Sequence, residues 1–177
     1  MLIPTLETEH LLLVPPSLDC DEAYQRFYTD AEASAHYGGP KSPSEAWARL
    51  AADIGSWHLL GFGVWAIRRR RAGDVVGTCG FWQGKGWPRE LTWWLAPEAR
   101  GQGIAKEASI GAIRHAYEGL GWTDVQTYMS DDNEAARGLV LSLGGSVVAR
   151  KRFPDGQERD VFSLPRPPLP HLDRAAL

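Results

Sequence analysis

Apolar residues recur along the chain at two spacings, and the switches between them mark out its elements. Residues 10–14, His-Leu-Leu-Leu-Val, form a short apolar run stopped by Pro15-Pro16, which predicts a first strand. Asp19 and Glu22 stand where a cap would open a helix running to about Tyr28, with Ala23 and Phe27 on one face. After the loop at Gly38-Gly39-Pro40, the stretch Ser42-Pro43-Ser44-Glu45 combines a capping box with proline at the first helical position. Trp47, Leu50, Ala51, Ile54 and Trp57 follow at helical spacing, so this second helix is amphipathic.

Residues 63–68 and 75–83 are strand-type runs joined by a charged turn at 69–73, which reads as a hairpin. A loop at 84–88 leads into a third strand from Glu90, and the three should pair in sequence, antiparallel. Beyond Pro97, a loop opens into a helix whose Ile104, Ala108, Ala112 and Ala116 form one small-residue face suited to packing on a sheet. Gly119 and Gly121 end it. Residues 123–128 predict a strand, Asp131-Asp132-Asn133 a loop and cap, and Ala135, Ala136, Leu139, Val140 and Leu143 a helix stopping at Gly144-Gly145. Residues 147–153 and 159–164 close the pattern as a hairpin. The order β-α-α-β-β-β-α-β-α-β-β predicts a mixed α/β (α+β) fold with helices on both faces of a sheet. One domain over residues 1–165 accounts for it, followed by a proline-rich tail over 166–177 that cannot continue a sheet.

A chain of 177 residues is long enough for one domain with a real core. Its formal net charge of −3 gives no electrostatic case for nucleic acid or an anionic membrane as main partner. Cys20 and Cys79 are too few and too far apart for a disulfide scaffold or a zinc site, and reduced thiols point to the cytoplasm. His10, His36, His58 and His115 show no metal-ligand spacing, so no metal is expected. No leader pattern and no apolar stretch of membrane-spanning length is visible. The chain carries eight tryptophans, and most of them fit sheet faces and core. Trp87 differs, because its Gly/Pro loop lies beside Glu90, where it could line an acceptor pocket.

The candidate chemistry lies at residues 90–108. A strand there enters a glycine-containing loop that opens directly into a helix. Such a helix start offers backbone N–H groups without intrahelical partners, and with the helix dipole they suit an anion such as phosphate. Gly101 and Gly103 allow close backbone approach, and Arg100 adds a charged fork. The P-loop pattern is absent, and the dinucleotide fingerprint fails at Lys106, where a small residue is needed. What remains is Arg-x-x-Gly-x-Ala, set by Arg100, Gly103 and Ala105.

That pattern resembles the pyrophosphate-binding motif of the GNAT N-acetyltransferase superfamily. The order of elements is similar to the GNAT fold from Leu6 to about Leu164. Closer likeness is to the branch of ribosomal-protein N-terminal acetyltransferase type. It is carried by Leu6-Glu7-Thr8-Glu9, by Trp93-Trp94-Leu95-Ala96-Pro97 running into Arg100-Gly101-Gln102-Gly103, and by Asp132-Asn133-Glu134-Ala135-Ala136-Arg137. The resemblance implies a central, mostly antiparallel twisted sheet of about seven strands, splayed apart at the cofactor site. It implies acetyl-CoA as cofactor, an amine as acceptor (a peptide N-terminus or a small molecule) and, as is common in this branch, a homodimer.

The resemblance also implies roles. Gly101, Gly103, Ile104 and Ala105 would hold the CoA pyrophosphate through main-chain N–H groups, with Arg100 and Gln102 contributing. Trp94 and Leu95 would pair with the pantetheine arm, and an N–H near Trp94 would polarise the thioester carbonyl. Asn133 matches the position that bonds the pantetheine. Glu90 matches the family's acidic position and is either the general base or a strand-edge carboxylate paired with Arg89 or Lys85. Val140 stands where the family often has a tyrosine that protonates the leaving thiolate. That departure keeps a second reading open, a CoA-binding or regulatory module without catalysis.

Overall fold

The computed structural model describes residues 2–168. Its strands form two antiparallel sheets. The first runs in spatial order β1 (Leu6–Glu7), β2 (Leu11–Val14), β3 (Val64–Arg69), β4 (Val75–Trp82) and β5 (Glu90–Leu95). The second places β8 (Glu158–Leu164) between β6 (Val125–Tyr128) and β7 (Ser146–Arg152). Four α-helices complete the described fold: α1 (Asp21–Tyr28), α2 (Pro43–Leu60), α3 (Ile104–Glu118) and α4 (Glu134–Ser142). This is the mixed α/β architecture that the pattern predicts. β1 is the addition; at two residues, with Leu6 opposite Leu13, it is too short to carry a periodic signal.

The first sheet is buried on both faces at its centre, where Val64, Trp65, Ala66 and Ile67 of β3 are all inaccessible. Trp65, Ile67, Cys79 and Leu91 pack with Ala108, Ala112 and Ala116 of α3. Ala66 and Trp94 pack on the other side with Tyr24, Phe27 and Tyr28 of α1 and Ala46 and Leu50 of α2. β4 and β5 approach so closely that a Cβ at Gly77 would stand 2.1 Å from the Trp94 carbonyl oxygen.

Helix starts follow local chemistry where it is complete. Ser42 and Glu45 form the reciprocal capping box at α2, with Pro43 at its first position. Asp19 does not cap α1. A single 3-10 turn, Leu18–Cys20, precedes that helix, and the Asp19 carboxylate accepts instead from the Ser17 hydroxyl and Arg68. The apolar stripe of α2 is also rotated from its predicted setting. Trp47 is half exposed and Ala51 lies in solvent, while Ala46, Leu50, Asp53 and Trp57 face inward. Asp53 is buried because the Tyr24 hydroxyl donates to it at 2.9 Å and Arg49 Nε at 3.0 Å. Burial raises its carboxyl, and these two partners pull it partly back.

Of the predicted tail, residues up to Pro168 are described; Arg114 donates to the Pro168 carbonyl at 3.1 Å. Residues 169–177 lie outside the described chain.

Candidate functional site

β5 leaves the sheet through a 3-10 turn, Pro97–Ala99, and the chain then enters α3 through two left-handed glycines. Gly101 has φ 73° and Gly103 φ 77°, and the direction of a Cβ at either is open space. Gly103 is the N-cap of α3, and the first closed helical bond runs from the Glu107 N–H to the Gly103 carbonyl at 3.0 Å. The N–H groups of Ile104, Ala105 and Lys106 therefore have no main-chain acceptor among the described residues. They are a ready anion cradle.

That cradle opens into a cavity of about 360 Å³, within the size range of small-molecule sites. Arg100, Gly101, Gly103, Ile104 and Ala105 line it, as do Leu95 of β5 and Asn133, which heads α4. Two of the predicted residues stand apart. Gln102 is exposed and donates to the Glu98 carbonyl at 2.8 Å, outside the lining. Trp94 is buried on the opposite face, stacked on Phe27 with ring centroids 4.3 Å apart. Trp93 takes the place at the cavity that the sequence reading gave to Trp94.

The phase of β5 explains this. The Trp94 carbonyl points at β4, as its closeness to Gly77 shows. The carbonyls of Leu91, Trp93 and Leu95 point the other way, accepting from the Thr127 hydroxyl, the Tyr37 hydroxyl and Arg100 Nε respectively. No ladder joins β5 to β6. Within a strand, the N–H and C=O of one residue share a side, so the N–H groups of Trp93 and Leu95 also face this gap.

A second cavity of about 140 Å³ lies in the gap and contains Glu90, Thr127, Tyr128, Met129 and Ser130. His36, Tyr37, Trp93, Asn133 and Ala136 line both cavities, so the two meet there. Burial pushes the Glu90 carboxyl up to about 8, while the Tyr128 main chain and the charges of Arg49 and Arg159 oppose the rise. A carboxylate of this kind takes up a proton near neutral pH. The alternative pairing with Arg89 is not formed; that guanidinium lies over the Trp122 ring, 3.3 Å from its centroid. Among the described residues Glu90 makes no salt bridge.

Asn133 caps α4, its Oδ1 accepting from the Ala136 N–H at 3.1 Å. Asn133 lines both cavities. Val140 is wholly buried in the main core, so α4 turns Ala136 and Leu139 to the cavity instead. Trp87 stacks near Tyr128 and Phe153, outside the lining of either cavity. Arg100 uses its fork on protein: Nε donates to the Leu95 carbonyl at 3.3 Å and Nη2 to the Ala33 carbonyl at 3.1 Å.

Sequence reading assigned no site role to Trp93, Tyr37 or His36, and left Tyr128 unassigned because it does not match the family motif. No local signal singled them out; Trp93 and its neighbour Trp94 are told apart only by the phase of β5 against β4. Among the described residues no three His, Cys, Asp or Glu side chains are grouped to hold a metal, and no helix is long and apolar enough to cross a membrane.

Comparison with known proteins bears on this geometry. Residues 10–146 match the acetyltransferase (GNAT) domain family. An uncharacterized N-acetyltransferase of Bacillus subtilis (strain 168), YoaA, is 25% identical over 175 residues, 94% of this chain and 99% of that protein. A crystal structure of the acetyltransferase from Agrobacterium tumefaciens str. C58 superposes with a TM-score of 0.82 at 27% identity, covering 93% of this chain and 96% of that one. RimL, the ribosomal L7/L12 alpha-N-protein acetyltransferase, shares the fold with a TM-score of 0.72 at 14% identity, over 92% of this chain and 94% of its own.

Proposed function

Because the chain belongs to the GNAT acetyltransferase family and is an acyltransferase, we propose that it moves acetyl from acetyl-CoA directly to an amine. The observation that carries this reading is the meeting of the two cavities at Trp93, one headed by free helix N–H groups and the other holding Glu90. The residues present fit acetyl-CoA. The N–H groups of Ile104, Ala105 and Lys106 suit its pyrophosphate, and the left-handed glycines keep side chains out of the way. The free edge of β5 at Trp93 and Leu95 and the Asn133 amide suit the amide groups of its arm. Bound there, acetyl-CoA supplies an acyl carbon activated by a thioester.

The chain's own groups do the rest. The N–H of Trp93 or Leu95 stabilises negative charge on the carbonyl oxygen, a fixed dipole in a partly desolvated gap. Glu90, with its carboxyl near 8, takes the proton that an ammonium acceptor must lose before it can attack. No covalent acetyl-enzyme is needed. Cys20 and Cys79 are buried, and neither lines either cavity. Two buried free thiols also suit the reducing cytoplasm.

Release of free thiol from acetyl-CoA, followed against Ser-, Ala- and Met-initiated peptides, a polyamine and an aminoglycoside, tests the proposal. Turnover with one class identifies the acceptor. Tight CoA binding without thiol release on any of them would make the chain a binding module, and no CoA binding would sink the site.

A further inference from the structure

The geometry points to Tyr37, in the segment between α1 and α2, as the catalytic residue that donates a proton to the departing sulfur. This rests on the acetyl-transfer reading above. α4 cannot supply that proton, since Val140 is sealed in the core and the Ser142 hydroxyl is exposed and donates to the Leu139 carbonyl at 2.8 Å. The sulfur must leave where donor and acceptor spaces meet, so the proton source must stand at that junction.

Tyr37 does. Its ring lines both cavities, and its hydroxyl donates to the Trp93 carbonyl on the free edge of β5. The ring is held edge-on by Phe27, with centroids 5.2 Å apart. The Ala33 carbonyl nearby is clamped by Arg100, which ties this segment to the cofactor loop. A phenolic proton can swing about the C–O bond while the ring stays packed. Other hydroxyls are worse placed. Tyr128 reaches only the second cavity and donates to the Pro88 carbonyl at 3.1 Å, and the Thr127 hydroxyl donates to Leu91. His36 shares the junction but is exposed.

Glu90 first passes the ammonium proton to solvent. As the bond from amine nitrogen to acyl carbon then forms and the carbon–sulfur bond breaks, Glu90 takes the nitrogen's second proton and Tyr37 gives its own to sulfur. A proton passing from Glu90 through solvent returns Tyr37 to its starting state, so the net products are the acetylated amine and free thiol. Burial holds the Tyr37 phenol well above its usual range, and so keeps it protonated at rest. The same desolvation disfavours the thiolate, which makes a proton donor there more valuable.

The test compares wild type with Tyr37→Phe, which keeps the ring and its Phe27 contact. Ultraviolet absorbance of the thiolate reports the titration of enzyme-bound CoA without turnover. A phenolic donor favours the thiolate, so the bound thiol should titrate about one pH unit lower in wild type than in the variant. In steady state, kcat should fall about a hundredfold, with the KM for acetyl-CoA and the melting temperature nearly unchanged. Equal titrations and equal kcat would overturn the role of Tyr37 alone. A rise in KM and CoA Kd with kcat preserved would make it a structural residue. No thiol release by wild type on any acceptor would overturn the acetyl-transfer reading and the role of Tyr37 with it.

Discussion

The Arg100 guanidinium donates to the main-chain carbonyl of Ala33, 67 positions earlier in the chain, at 3.1 Å. It thereby fastens the glycine loop ahead of α3 to the segment that carries His36 and Tyr37. Arg100→Ala should leave the N–H cradle of α3 intact and loosen the wall of the second cavity. We expect the CoA Kd to rise less than tenfold, about 1 kcal/mol, while the acceptor KM rises more than that for acetyl-CoA. Initial rates with each substrate varied in turn check this, and a selective rise in the acetyl-CoA KM would count against it.

Glu90 gives two pH signatures of opposite use. As base it must be unprotonated, so kcat/KM should climb with pH and level off above about 8. Glu90→Gln should abolish that rise and lower the plateau by roughly 10²–10⁴-fold. The stability effect runs the other way. The folded carboxyl titrates near 8 and the unfolded one near 4.5, so the folded state holds the extra proton between those values. Stability is then greatest below the lower value and falls as pH rises, by up to about 1.4 kcal/mol per unit within the window. Glu90→Gln should unfold at higher temperature than wild type at pH 9 and lose that advantage by pH 4.

Gly103 takes a left-handed turn that a side chain tolerates poorly, although space is open beside it. Gly103→Val should cost about 1–2 kcal/mol of stability and place a branched side chain in the anion cradle. Calorimetry should show CoA affinity down at least tenfold while the fold persists. Unchanged affinity would remove this loop as the pyrophosphate site.

Asp53→Ala should be among the most damaging changes outside the site. It leaves Arg49 and the Tyr24 hydroxyl without their shared acceptor, a loss on the order of 3 kcal/mol in urea unfolding. Asp53→Asn keeps an acceptor and should cost less.

What could be read in advance divides along the range of the forces involved. The capping box at Ser42, the small-residue face of α3 and the glycine loop depend on neighbours within a few residues, and the structure has all three. The phase of β5 depends on which side β4 pairs, and Trp93 and Trp94 are the same residue type with opposite fates. Nothing local separates them. Nothing near Asp53 in sequence marks it for burial, because its partner Tyr24 comes from another helix. Tyr37 reaches the junction because Arg100, far along the chain, and Phe27 of α1 hold its segment there. The Asp19 cap failed because Arg68 and Ser17 offered the carboxylate better partners than the helix did.

A sheet edge with free N–H and C=O groups is usually a hazard, because another chain can add to it and start an aggregate. Here the flank of β5 facing β6 has no partner strand, its Leu91, Trp93 and Leu95 carbonyls are taken up by side chains, and it lies inside the molecule, next to the first turn of α3 and the head of α4. By turning this unpaired flank inward, the sheet shows no edge to other proteins there.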